Sequence, residues 1–164
     1  MTQTWYLFRH ALATLNLDGY GDEILTASIL PDYKKPIEKI GLHLKKTVNN
    51  AHFYTSPVIR CLQTSDIIKK YTGFDYVVDD KLTEYHNETF PNLSDRINNF
   101  LTKSNKSNCT NIIVCTHGTV IAGLKNLITD NKFNKNQILD YPACGELLII
   151  KERKIQLVNF NQTY

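Results

Sequence analysis

What most limits how this chain can fold is an alternation. Runs of β-branched, aromatic and apolar residues, WYLFRH (5–10), AHFYTS (51–56) and NIIVCTH (111–117), are separated by stretches whose apolar residues recur every three or four positions. A run without polar alternation has no face to give to water, so each reads as a strand covered on both sides. Between the first two, Ile37, Ile40, Leu44 and Val48 mark one face of a helix from about Pro36. Pro57 reads as a first-turn proline, followed by VIRCLQTSDIIKKY as a second helix ending before Gly73. FDYVV (74–78) is a further strand. A polar loop from Asp79 to Asn92 leads to a short helix carrying Leu93, Ile97, Phe100 and Leu101. TVIAGLKNLI (119–128) repeats the pattern with Val120, Ile121, Leu124, Leu127 and Ile128. GELLIIKERKIQLVNF then reads as two strands about a Lys-Glu-Arg-Lys turn, an antiparallel hairpin at a sheet edge. The order predicts an α/β fold, a three-layer α/β/α sandwich with a mainly parallel sheet and an antiparallel edge, in one domain over residues 1–164.

In open sheets of this kind, ligands bind beyond the carboxyl ends of the strands. The first strand ends at Arg9-His10, the second at Ser56-Pro57 with Arg60 one turn further on, and the third at Thr116-His117-Gly118. Three strand ends thus bring two arginines and two histidines to one rim. Arginine is scarce in the chain, four of 19 basic residues, so two of the four at one rim is a concentration. A positive site with no carboxylate cluster to hold a metal suits a polyanionic oxygen group such as phosphate, which the forked guanidinium matches. The amino end of the helix opening at Gly118 adds free N–H groups. A neutral imidazole can attack phosphorus while the arginines and the second histidine stabilise the equatorial oxygens. A leaving alkoxide still needs a proton, and the loop KLTEYHNETF offers Glu84 and Glu88, with Glu84 closer to the end of the preceding strand.

These segments resemble the motifs of the histidine phosphatase, or phosphoglycerate mutase-like, superfamily. FRHA is similar to its Arg-His-Gly signature, SPVIRCLQTSDII to its Ser-Pro-x-x-Arg-x-x-x-Thr helix, LTEYHN to its Leu-x-Glu segment and VCTHGTVI to its second-histidine motif. The resemblance implies that His10 is the phosphorylated nucleophile, that Arg9, Arg60 and His117 form the phosphate pocket with Gly118, that Glu84 is the general acid, and that Asn16 contacts phosphate. Two departures stand out. Ala11 replaces the glycine of the signature and Leu12-Ala13 its polar followers, and the glycine after the Leu-x-Glu segment is missing, which keeps Glu88 as an alternative acid. Mutases of the superfamily usually carry an insertion before the second histidine; here 32 residues separate Glu84 from His117, with Arg96 their one arginine. Hydrolysis of a phosphate monoester without metal or cofactor is therefore the leading expectation. The alternatives are a protein phosphohistidine phosphatase, mutase-type transfer and a non-catalytic phosphate-binding module.

The remaining features argue against other classes. The net charge of +3 comes from scattered lysines, and no apolar run approaches a bilayer span, so neither nucleic acid nor membrane is an expected partner; a small phosphorylated metabolite or a phosphoprotein is. Cys61, Cys109, Cys115 and Cys144 form no C-x-x-C pair and the first strand follows no signal segment, which fits reduced thiols in a cytoplasm. Cys61 is expected to face the sheet, and His43, His52 and His86 to lie outside the site.

Overall fold

The computed structural model describes residues 2–161. The elements run β1 (Thr4–Arg9), α1 (Lys35–Thr47), β2 (His52–Thr55), α2 (Ile59–Thr72), β3 (Tyr76–Val78), α3 (Phe90–Asn105), β4 (Asn111–Thr116), α4 (Gly118–Asp130), β5 (Glu146–Lys151) and β6 (Lys154–Asn159). The strands form one sheet in the order β3-β2-β4-β1-β5-β6. The pairs β3/β2, β2/β4 and β4/β1 are parallel, while β5 and β6 add the expected antiparallel hairpin at the edge. Its turn passes through Glu152 and Arg153, both at positive φ, as a tight hairpin requires.

The unbroken apolar strands are explained by what covers them. Along β1, Trp5 and Leu7 enter a core shared with Leu93, Ile97, Phe100, Val120 and Ile121 of α3 and α4. Tyr6 and Phe8 enter a second core with Ile37, Ile40, Leu44, Cys61 and Ile68 of α1 and α2. Successive side chains point to opposite faces, and both faces are buried, which makes the three layers.

Register sets the level of the strand ends. Arg9 pairs with Thr116 across β1/β4, and Thr55 with Cys115 across β2/β4, so the residues that follow, His10, His117 and Ser56, leave the sheet side by side. Two boundaries differ from expectation. Helix α3 begins at Phe90 and runs 16 residues, longer than the short helix expected, because Thr89 caps it (Oγ1 accepts from Asn92 N at 3.3 Å) and Pro91 sits in its first turn. Pro57 precedes α2 instead of opening it: Ser56 Oγ accepts from Val58 N at 3.2 Å, and this turn occupies residues 56–58. Among the described residues, no helix is long and apolar enough to cross a membrane.

Candidate active site

His10 follows the last residue of β1 and is 1% exposed. Its Nδ1 lies 2.7 Å from the Ala11 carbonyl oxygen. A carbonyl can only accept, so Nδ1 carries the proton and Nε2 keeps its lone pair, which faces the Tyr20 hydroxyl 3.5 Å away. The chain beyond is pinned by Thr64 of α2, whose Oγ1 accepts from Ala11 N at 2.8 Å and donates to the Arg60 carbonyl at 2.7 Å. One threonine thus ties the histidine turn to the helix that carries Arg60.

Arg60 is wholly buried, and a buried guanidinium needs partners. Nη2 donates to Glu84 Oε2 at 2.7 Å, Nη1 donates to the Ile24 carbonyl, and the guanidinium carbon lies 4.3 Å from the centre of the Tyr20 ring. Arg9 stacks on Tyr141 at 5.0 Å. The Nε atoms of both arginines are buried without a hydrogen-bond partner, an expensive arrangement unless an anion meets them.

His117 immediately precedes α4, at its N-cap position, with its ring centre 5.6 Å from that of His10. Nδ1 stands 3.0 Å from Glu84 Oε2, and because a carboxylate only accepts, Nδ1 is protonated. Nε2 then accepts from the Ser56 hydroxyl at 2.8 Å. Both ring nitrogens are held, so the ring cannot turn.

The sequence model of the histidine phosphatase superfamily, branch 1, matches residues 5–93, more than half of the chain. The chain belongs to the histidine phosphatase superfamily. That match spans Arg9, His10, Arg60 and Glu84; His117 lies beyond it and is brought in by the fold. No curated relative matches the sequence. Among solved structures, the α-ribazole phosphatase of Shigella flexneri is similar at TM-score 0.76 and 14% identity, covering 98% of this chain and 96% of that one. The protein histidine phosphatase SixA, complexed with tungstate, follows at 0.68 and 13%, covering 95% and 94%. Phosphoglycerate mutase of Bacillus anthracis also reaches 0.68, at 15% identity, covering 96% and 92%.

In this member of the superfamily the electrostatics keep both imidazoles neutral. Burial, reinforced by the charges of His117, Arg60 and Arg9, holds His10 well below the ordinary histidine range against the opposing pull of Ala11. Burial likewise lowers His117, although Glu84 pulls the other way. Burial pushes Glu84 up, but His117 and Arg60 more than reverse this and bring it down to about 2. Stability must follow. Below pH 6.5 the unfolded histidines take up protons that the folded ones refuse, so stability present above that pH is lost on acidification, by up to about 1.4 kcal/mol per pH unit for each histidine. Glu84 adds a loss between pH 4.5 and about 2. Urea-denaturation midpoints measured from pH 8 to 5 should therefore be level above 7 and fall below 6.5; a constant midpoint would contradict two neutral buried imidazoles.

Several expected residues are placed differently. Glu88 is outside the cluster: Arg96 Nε reaches both its oxygens at 3.1 Å, and Asn92 donates to it at 2.8 Å. Arg96 also donates to the carbonyls of Lys81 (2.6 Å) and Glu84 (3.4 Å), so it clamps the loop that carries Glu84. Asn16 is exposed and its side chain serves its own loop, accepting from Asp18 N at 3.1 Å. Gly118 opens α4, and a Cβ there would come 2.4 Å from the Tyr141 ring, so glycine lets Tyr141 pack where it stacks on Arg9. Cys61 joins the core under the sheet as expected, yet its sulfur also lies 3.6 Å from His117 Nε2. Tyr20, Ser56, Thr64 and Tyr141 were not singled out by sequence. Ser56 and Thr64 stand within the Ser-Pro-x-x-Arg-x-x-x-Thr motif, whereas Tyr20 and Tyr141 sit in loops without any local signal.

Proposed function

We propose that this protein is a phosphatase that hydrolyses a phosphate monoester of an alcohol through a phosphohistidine on His10. The observation that carries this reading is the unprotonated His10 Nε2, fixed as such by the bond of Nδ1 to the Ala11 carbonyl, beside two guanidinium groups with unpartnered Nε atoms. The guanidinium groups supply the positive charge that a metal would otherwise bring. Nε2 attacks phosphorus, the bond to the leaving oxygen breaks, and Glu84 gives that oxygen a proton. Water then attacks the phosphohistidine as Glu84 takes a proton from it, and the phosphorus–nitrogen bond breaks to release inorganic phosphate and neutral His10.

Glu84 is ionised in the free protein, so its proton must arrive with substrate. A phosphoryl group entering beside it competes for Arg60 and His117 and adds like charge, and both effects raise a carboxyl pKa. The substrate thereby prepares its own acid. A carboxylate at this point favours an alcohol ester over phosphohistidine, whose imidazole can take its proton from water near neutral pH and needs no acid from the protein. Length does not separate hydrolysis from transfer, since a phosphoglycerate mutase shares the fold over nearly all its length. Arg96, the one arginine between Glu84 and His117, is committed to Glu88 and adds nothing to the pocket that could hold a second phosphate. Release of p-nitrophenol from p-nitrophenyl phosphate in excess EDTA is the expected result. Phosphate binding with no turnover of this or of alkyl phosphates between pH 4 and 9 would instead make the protein a binding module.

A further inference from the structure

Tyr20 has no part in the steps above, yet it touches both ends of the phosphate seat. Its ring lies 4.3 Å from the Arg60 guanidinium carbon, and its hydroxyl 3.5 Å from His10 Nε2. A phosphoryl group bonded to Nε2 and hydrogen-bonded by Arg60 must fill the space between those atoms, which the phenol now holds. The Ile24 carbonyl takes an Arg60 donor, Nη1, so one segment covers the face of the guanidinium and occupies one of its N–H groups.

That segment is weakly held. No residue from 14 to 26 is buried, and Leu15, Leu17 and Leu25 face solvent. Its backbone bonds from Asn16 to Ala27 are local turns, such as Gly19 N to the Asn16 carbonyl and Ile24 N to the Gly21 carbonyl. Firm anchorage resumes at Ile29, whose N–H donates to Gln63, and at Leu30, whose N–H donates to the Leu12 carbonyl. Tyr20 is flanked by Gly19 and Gly21, at φ 86° and 55°, and a Cβ on either would meet nothing within 4 Å. Glycines in open space on both sides let the backbone rotate without a steric barrier.

We propose that Tyr20 is the gate of the phosphate pocket: it occupies the seat between His10 and Arg60 in the free protein, and the phosphoryl group enters only as the Gly19–Gly21 stretch swings it out. The proposal rests on the reading of His10 and Arg60 as that seat. Because an occupied seat lowers apparent affinity by the fraction of open protein, Tyr20 sets the affinity for every phosphate ester. A partly buried cation–π contact is worth about 3- to 30-fold in such an equilibrium.

Inorganic phosphate is titrated calorimetrically into the full chain and into Tyr20→Ala, with p-nitrophenyl phosphate turnover measured on both. The expected result is phosphate binding about 3- to 30-fold tighter in Tyr20→Ala, with kcat/KM raised by a similar factor. In Tyr20→Trp, phosphate should shift indole emission to the red as the ring moves into water, over a constant background from buried Trp5. Phosphate binding equal to or weaker than wild type in Tyr20→Ala overturns the gate, and if wild type still turns over substrate the seat reading survives. Absence of both phosphate binding and turnover in all three proteins overturns gate and seat together.

Discussion

His10→Ala is expected to lower turnover of p-nitrophenyl phosphate by at least about 10⁴-fold and to abolish the phosphoenzyme, because the remaining groups can bind phosphate but cannot form a bond to it. Rapid-quench labelling with a phosphate-labelled ester should trap label on the wild-type protein and none on His10→Ala. That label should survive alkali and fall off in acid, since protonating the imidazole of a phosphohistidine makes it a good leaving group. Residual turnover within about 100-fold of wild type would remove His10 as nucleophile. The pH profile gives an independent check: burial and neighbouring charge keep Nε2 unprotonated, so the acid limb of kcat/KM assigned to His10 should lie well below pH 6.5. The same substitution removes one of two buried neutral imidazoles, and the acid loss of stability should become about half as steep. Loss of turnover with unchanged acid sensitivity would mean that His10 is not held neutral in the folded protein.

The fold was legible because its signals are local and repeated. The central strands carry apolar runs, and α1, α3 and α4 an apolar stripe at the right period, as in Ile37, Ile40 and Leu44, while α2, whose buried face is Arg60, Cys61, Thr64, Ser65 and Ile68, is marked by Pro57 before it and Gly73 after it. The four central groups were legible for a related reason: Arg9, His10 and His117 follow strand ends and Arg60 lies one turn into a helix, so topology alone brings them to one rim. Glu84 was harder, as its loop had two acids, and what separates them is tertiary: Arg96 of α3 takes Glu88 and grips the backbone at Lys81 and Glu84, leaving the Glu84 carboxylate to Arg60 and His117. The start of α3 was misjudged because Thr89 and Pro91 look like loop residues until they are read as a cap and a first-turn proline. Asn16 and Tyr20 show the limit. Both sit in a segment with no buried residue, where neither periodicity nor topology fixes a side chain, and the structure turns the tyrosine inward and the asparagine outward.

Read in kcat/KM, which ends at the phosphohistidine and leaves out the later attack of water in which Glu84 is the base, Glu84→Gln isolates proton donation to the leaving oxygen. Glutamine keeps an oxygen that can accept from Arg60 Nη2 and His117 Nδ1, so the contacts at 2.7 and 3.0 Å have a replacement, but it has no proton to give. The kcat/KM of an alkyl phosphate should fall by about 10²- to 10⁴-fold, the usual contribution of a general acid. p-Nitrophenyl phosphate should lose less than about 10-fold, since a nitrophenolate leaves unassisted, and across a series of esters the loss should grow as the leaving group becomes more basic. The charge change has its own consequence. Arg60 is wholly buried, and without its carboxylate partner it must be carried by Ile24, Tyr20 and any bound anion, so the variant should be less stable and should gain more from added phosphate than wild type does. Thermal unfolding with and without phosphate measures that gain, and a folded variant is confirmed in the same experiment. If alkyl and nitrophenyl esters lose equally, Glu84 orders Arg60 and His117 and donates no proton, and the leaving oxygen must take its proton from elsewhere.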